Sequence, residues 1–120
     1  MSNASLASGN NSRAPVTVTY TTPLSLSGAA NFQIYRIVAT GNLTLSIPTG
    51  HTDGGNMEIW VQASGVTVSL VLNGFIVIPS QSSFTNPHSI PNGKKAKLLL
   101  QYDGNLNGGQ WELTSFIQNY

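Results

Sequence analysis

The feature that most constrains this 120-residue chain is an alternation of apolar and polar residues that begins at Val16 and recurs almost to the C-terminus. Val16-Thr-Val-Thr-Tyr20, Leu43-Thr-Leu-Ser-Ile47 and Met57-Glu-Ile-Trp-Val61 all follow it. A period of two is typical of strands with one buried face, because successive side chains of a strand point to opposite sides. No segment has the 3.6-residue period of an amphipathic helix.

The alternation predicts eight strands separated by turns that contain Gly or Asn-Gly. They cover about residues 16–22, 32–40, 42–48, 56–63, 66–72, 75–78, 95–103 and 110–118. Asn73-Gly74 is the best candidate for a two-residue hairpin turn. The aperiodic stretch 80–91 is predicted to be a loop that could carry function. Eight short strands at this spacing predict one all-β domain over residues 16–120, an antiparallel β-sandwich or jelly-roll-like domain.

Residues 1–15 differ from the rest of the chain because they are small and polar, with too few apolar side chains to order by themselves. They are predicted to form an N-terminal arm. The arm is either a flexible tail or a segment that orders against a neighbouring subunit or a larger lattice. Candidate docking residues on the arm are Asn3, Leu6, Asn10 and Arg13.

Charged side chains are scarce: five Lys and Arg and four Asp and Glu leave a formal net charge of +1. Ser (14), Thr (11), Asn (12) and Gln (6) supply most of the polar side chains instead. Nucleic-acid binders and polybasic membrane-surface binders need several cations for phosphates, so neither nucleic acid nor a membrane is an expected partner. Little charge also means little repulsion between copies, which favours self-association. The one cluster, Lys94, Lys95 and Lys97, is interpreted as protection of a strand against edge-to-edge pairing, with a weak contact to an acidic partner surface as the alternative.

The sequence does not predict catalysis. We find no paired carboxylates, no Ser beside a His and an acid, and no nucleophile elbow in a sequence context that would support catalysis. Neither enzyme activity nor a cofactor is therefore expected. His51 and Asp53 form an H-x-D pair, but a metal site needs three or four converging ligands and nothing nearby completes one. Asp103-Gly-Asn-Leu-Asn-Gly108 matches half of a calcium-binding EF-hand loop. Position twelve of that loop is Thr114, so we interpret the stretch as a glycine-rich turn between strands.

Five aromatic side chains are candidates for contact with carbohydrate or a partner protein. They are Tyr102, Trp111, Tyr120, His88 and Phe84. An exposed aromatic ring near Asn and Gln can stack on the face of a sugar, and His88 and Phe84 lie in the 80–91 loop, where binding residues concentrate. For Trp60, which lies within an alternating strand, core packing is the default expectation.

Two stretches resemble a module that recurs in bacteriophage virion proteins. The first is Tyr35-Arg-Ile-Val-Ala-Thr-Gly-Asn-Leu-Thr-Leu-Ser-Ile-Pro48 followed by Asp53-Gly54, and the second is Leu99-Leu-Gln-Tyr-Asp-Gly104 with Trp111 after it. The likeness extends over about residues 30–117. It implies a β-sandwich of the kind found at the ends of tail and head fibres and in capsid decoration proteins, often trimeric and without catalytic residues. Between Ala63 and Lys97 the sequence departs from the module's pattern, so the resemblance does not fix the middle hairpin.

The resemblance and the small size of the chain lead us to expect a bacteriophage virion structural protein. In this hypothesis it is a capsid decoration, or cement, protein that forms a homotrimer on the major capsid protein lattice and stabilises the head. One alternative is a receptor-binding fibre-tip module that binds host-surface carbohydrate. Another is a free-standing lectin-like or enzyme accessory module outside any virus. The expected location is the virion. Synthesis in the host cytoplasm is expected because the sequence shows neither a signal-peptide pattern nor an apolar run of about 18 residues.

Overall fold

The computed structural model describes residues 14–29 and 32–118. Its regular structure consists of β-strands and one 3₁₀ turn at Leu106–Gly108. The strands are β1 (Val16–Val18), β2 (Gln33–Ala39), β3 (Leu43–Leu45), β4 (Asn56–Ala63), β5 (Val68–Leu72), β6 (His88–Ile90), β7 (Lys95–Asp103) and β8 (Gln110–Gln118). The four candidate docking residues of the arm, and Tyr120, lie outside the described residues. Within those residues, no helix is long and apolar enough to cross a membrane.

The strands form two sheets whose apolar faces enclose one core. The larger sheet has the order β1-β2-β4-β7-β8, and the smaller has the order β3-β5-β6. In β4 every second side chain from Met57 to Ala63 is buried, as the period of two requires. The prediction of an all-β sandwich of about eight strands is confirmed.

The direction of the strands differs from the antiparallel, jelly-roll-like arrangement that was predicted. The pairs β1–β2, β2–β4 and β3–β5 are parallel, whereas β4–β7, β7–β8 and β5–β6 are antiparallel. The connections explain the parallel pairs of the larger sheet. Between β1 and β2 the chain crosses to the smaller sheet, where Leu24 bridges Leu45 and Ser27 bridges Thr49, and between β2 and β4 it forms β3 there. Such a crossover brings the chain back to the end at which the previous strand began, so the next strand runs parallel to it.

The predicted strand 75–78, with its hairpin turn at Asn73-Gly74, is wrong. The N–H groups of Phe75 and Ile76 donate to Asn73 Oδ1 and to the Asn73 carbonyl, both at 2.9 Å. These bonds close a turn that leads the chain away from β5. In this segment only Val77 makes a bridge, to Glu112 of β8.

The free edge of β5 is covered from within the stretch 80–91, which was predicted to be a loop. Three of its residues form β6 and pair with β5. The Asn86 side chain then extends the pairing, because its Nδ2 donates to the Leu72 carbonyl at 2.8 Å and its Oδ1 accepts from the Leu72 N–H at 3.1 Å. A strand of three residues with polar Ser89 at its centre carries too little pattern to be recognised from sequence.

Candidate functional site

A cleft of about 480 Å³ opens at the end of the sandwich where β7 turns into β8. The segments after β3 and after β5 form its other walls. The lining residues are Ile47, Pro48, His51, Phe75, Tyr102, Asn107, Gly109, Gln110 and Trp111. No Asp, Glu, Lys or Arg is among these lining residues, so the cleft presents rings, amides and apolar surface.

Three aromatic rings are packed against one another at the cleft. The rings of His51 and Tyr102 are stacked, with centroids 3.9 Å apart and planes within 4° of parallel. Tyr102 meets Trp111 edge to face, with centroids 5.5 Å apart. Trp111 is 3% exposed and forms the floor, whereas Phe75, on the segment after β5, is 68% exposed. A ligand would therefore meet Phe75 and the His51–Tyr102 pair, with Trp111 beneath them.

The turn between β7 and β8 gives Tyr102 its position. Asn107, Gly108 and Gly109 all have positive φ, at 47°, 83° and 110°, a region that glycine adopts readily and Asn more often than other residues. A Cβ atom on Gly109 would collide with the Tyr102 hydroxyl. The Asn-Gly-Gly sequence of this turn therefore leaves the space that the phenol ring occupies.

A short chain of hydrogen bonds links this turn to the segment after β5. Asn107 Nδ2 donates to Gln110 Oε1 at 2.7 Å, and Gln110 Nε2 donates to the Phe75 carbonyl at 3.3 Å. The Phe75 backbone is thus held on its carbonyl side by β8 and on its N–H side by Asn73. These hydrogen bonds connect the Phe75 backbone to the β7–β8 turn.

The five aromatic candidates named from the sequence do not form one site. Tyr102 and Trp111 come together at the cleft, but burial leaves Trp111 no free face for a ligand. Phe84 (4% exposed) and His88 (7% exposed) pack with Phe116 inside the sandwich, with ring centroids 4.8 to 5.6 Å apart. Both rings are buried because residues 84–90 cover the edge of β5, so neither presents a free face for a ligand in the single chain.

Two residues of the cleft were missed or misassigned from the sequence. Phe75 was placed on a strand, and His51 was considered only as half of a weak metal pair with Asp53. Asp53 Oδ1 accepts the Gly104 N–H at 2.8 Å and so ties two turns together. The described residues contain no group of three or more His, Cys, Asp or Glu that could hold a metal ion. The stretch that begins at Asp103 is a turn, in which Asp103 Oδ1 accepts the Asn105 N–H at 2.9 Å.

The outer face of the five-stranded sheet is a second candidate surface. Cross-strand pairing aligns Arg36, Trp60 and Lys97 in one row. The Trp60 ring lies between the two cations, 5.3 Å from Arg36 Cζ and 4.8 Å from Lys97 Nζ, and its indole N–H donates to the Glu58 carboxylate. Trp60 is half-buried on this outer face and is not part of the core, because β4 turns its alternate residues inwards.

Charged side chains in the described part of the chain are segregated along the five-stranded sheet. Four cations lie towards the start of β7: Lys94, Lys95, Lys97 and, in register with Lys97 through β4, Arg36. Three carboxylates lie towards its end: Glu112 in register with Gln101, Asp103, and Asp53 beside Gly104. The fourth, Glu58, is in register with Leu99 at the middle of β7 and lines one pocket with Lys97. Lys95 and Asp103 stand at opposite ends of β7, about 26 Å apart at ~3.3 Å per residue. A nearly neutral chain thus has a basic half and an acidic half.

Comparison with known protein families finds no family model that matches this sequence, and comparison with curated proteins finds no match. The virion module therefore stays a prediction from the motifs at residues 35–54 and 99–111.

Proposed function

We propose that this protein is a bacteriophage virion structural protein that assembles with copies of itself, as a homotrimer that decorates and stabilises the capsid. The proposal rests on the motif resemblance and on the outer face of the five-stranded sheet. That face is the single observation that carries self-assembly, and residues 1–15 are the segment proposed to contact the major capsid protein lattice.

The outer face has the composition of a contact surface. Its apolar side chains are half-buried or exposed in the single chain: Ile34, Val38, Trp60, Leu99 and Ile117. Strand spacing of ~4.8 Å and a rise of ~3.3 Å per residue give the face a plan area of roughly 500 Å². This is of the same order as the ~800 Å² that each partner contributes to a standard protein interface.

The segregated charges supply complementarity between two copies. If the basic half of one copy lies against the acidic half of a second copy, opposite charges attract each other across the interface. Burying the remaining surface costs little, because neutral hydroxyl and amide groups are far less expensive to desolvate than ions. The low charge of the chain, which makes nucleic acid an unexpected partner, thus also allows a large part of its surface to be covered.

The molar mass in solution, measured by light scattering after size-exclusion chromatography, tests self-assembly. We expect three times the mass of one chain at low salt, with dissociation as salt rises, because charges more than about 10 Å apart are screened at 0.1 M ionic strength. Lys95→Glu and Glu112→Lys should each weaken association about tenfold. The control Lys95→Arg should not, and combining the two reversals in one chain should restore part of the affinity. A chain that stays monomeric at every concentration contradicts the proposal.

The capsid part of the proposal has its own test. The purified protein should co-sediment with expanded phage capsids that lack it, and removal of residues 1–13 should abolish the co-sedimentation while leaving the mass in solution unchanged. Capsids that sediment without the protein would remove the decoration role.

A second function, binding of host-surface carbohydrate as a fibre-tip module, is favoured by a different observation. The cleft at the β7–β8 turn combines a 68% exposed Phe75 ring with the stacked His51–Tyr102 pair and two side-chain amides. A glycan array probed with the full chain tests this function: binding to any glycan class supports it, and a silent array across host polysaccharides contradicts it.

A further inference from the structure

We propose that the cleft at the β7–β8 turn binds an uncharged saccharide, with one sugar ring held between Phe75 and the His51–Tyr102 pair. This inference rests on the second function above and specifies its ligand class and the residues that recognise it. It does not depend on self-assembly.

The apolar half of the recognition comes from Phe75. A phenyl ring that is 68% exposed is unusual on a chain whose polar side chains are mostly Ser, Thr and Asn, and large exposed apolar groups in concave places mark binding sites. A pyranose ring has a face of C–H groups that can cover such a ring. The Phe75 backbone is fixed by hydrogen bonds to Asn73 and Gln110, so little freedom is lost when a ligand stacks on it.

The polar half of the recognition comes from Asn107 and His51, which line the same cleft. Asn107 uses its Nδ2 to hold Gln110, and among the described residues no donor reaches its Oδ1. The His51 imidazole lies flat on Tyr102, and its ring nitrogens have no hydrogen-bond partner among the same residues. A carbonyl oxygen and an imidazole are suited to sugar hydroxyls, which both donate and accept. Hydroxyls are the groups that these two side chains can satisfy.

Electrostatics distinguishes a neutral ligand from an anionic one. No ionised Lys or Arg lines the cleft, so a carboxylate, sulfate or phosphate would find no counter-charge there. Two carboxylates follow the lining residues closely along the chain: Asp53 comes two residues after His51, and Asp103 comes directly after Tyr102. A carboxylate within about 10 Å of a bound anion would repel it. A volume of about 480 Å³ also falls in the range of roughly 300–1,000 Å³ that is typical of small-molecule sites.

Titration of the ¹⁵N-labelled full chain, followed by NMR, tests the proposal. The neutral probes are maltose, lactose, cellobiose and N,N′-diacetylchitobiose, and the anionic probes are N-acetylneuraminic acid and a sulfated disaccharide. We expect at least one neutral probe to give saturable shifts at His51, Phe75 and Asn107, and the anionic probes to give none. Phe75→Ala should weaken the neutral probe about tenfold, the loss of one stacked ring.

The matched control is Val66→Ala, which also removes an exposed apolar side chain, but from the connection between β4 and β5, outside both proposed surfaces. It should leave saccharide affinity unchanged. Because Phe75 is exposed, its truncation is expected to keep the fold, and the NMR spectrum of the variant verifies this directly. Binding of anionic probes alone overturns the neutral ligand and leaves carbohydrate binding intact. No binding by any probe, or unchanged affinity in Phe75→Ala, overturns the inference, while a silent glycan array would remove the second function with it.

Discussion

Truncation of Trp111 to Ala is a direct test of how the cleft is built, because its floor is also part of the core. The indole is 3% exposed, meets Tyr102 edge to face at 5.5 Å, and packs over Gly28, where a Cβ would collide with it. Its aromatic side chain made Trp111 a candidate ligand contact in the sequence analysis, whereas its burial assigns it a role in stability. The two roles predict different losses.

The expected cost follows from the area that Trp111 buries. An aromatic side chain of this size removes about 200 Å² from water, which at ~25 cal/mol per Å² corresponds to ~5 kcal/mol. Substitutions of Phe or Trp by Ala in other cores cost about 3–5 kcal/mol. Trp60→Ala is the matched comparison, because Trp60 is half-buried on the outer face. It loses two cation–π contacts worth ~0.5–1 kcal/mol each and the hydrogen bond from its indole N–H to Glu58.

Urea unfolding followed by circular dichroism, at one fixed protein concentration, measures both variants. With a slope of ~1.5 kcal/mol per M, Trp111→Ala should lower the midpoint by about 2–3 M, and Trp60→Ala by less than about 1.5 M. If Trp111→Ala does not fold, Trp111→Phe should still show roughly half the loss. A loss below about 1 kcal/mol for Trp111→Ala, or a larger loss for Trp60→Ala, would refute the assignment of Trp111 to the core.

Two further substitutions test the packing at other positions. Asn86→Ala should lower the free energy of unfolding by about 1–3 kcal/mol, because it leaves the N–H and carbonyl of buried Leu72 without the partners they now have. The control Thr85→Ala, at an exposed position next to it, should change the free energy of unfolding by less than ~0.5 kcal/mol. Equal effects of the two substitutions would contradict the bridging role of Asn86. Gly28→Ala should lower the melting temperature and reduce the free energy of unfolding by about 1–3 kcal/mol, because its Cβ would collide with the ring of Trp111. An unchanged melting temperature would mean that the ring has room to move.

The alternation of residue types was enough to determine which side of each long strand is buried. In β4, Met57 and Ile59 face the core, as the sequence predicts, because a side chain's face depends only on its position along its own strand. The turns at the ends of β4 and β7 were equally readable from their Gly residues. Both signals are local, and the all-β class of the fold follows from them.

The alternation does not predict which strands pair, because it indicates only which face of a strand is buried. The parallel β2–β4 pair depends on a crossover through the other sheet, and Asn86 completes the edge of β5 from fourteen residues away. The burial of Phe84 and the exposure of Phe75 also depend on which strands pair.

The candidate functional surfaces also depend on how the strands pair and where their connections end. His51 and Phe75 meet Tyr102 at one cleft only because three connections end at the same end of the sandwich. Arg36 joins the lysines of β7 only because β4 lies between them in register. The sequence by itself determined the strands, their buried faces and a nearly neutral charge. The tertiary structure decided how those few charges divide into two halves and which rings share a cleft, since both depend on contacts between residues far apart in the chain.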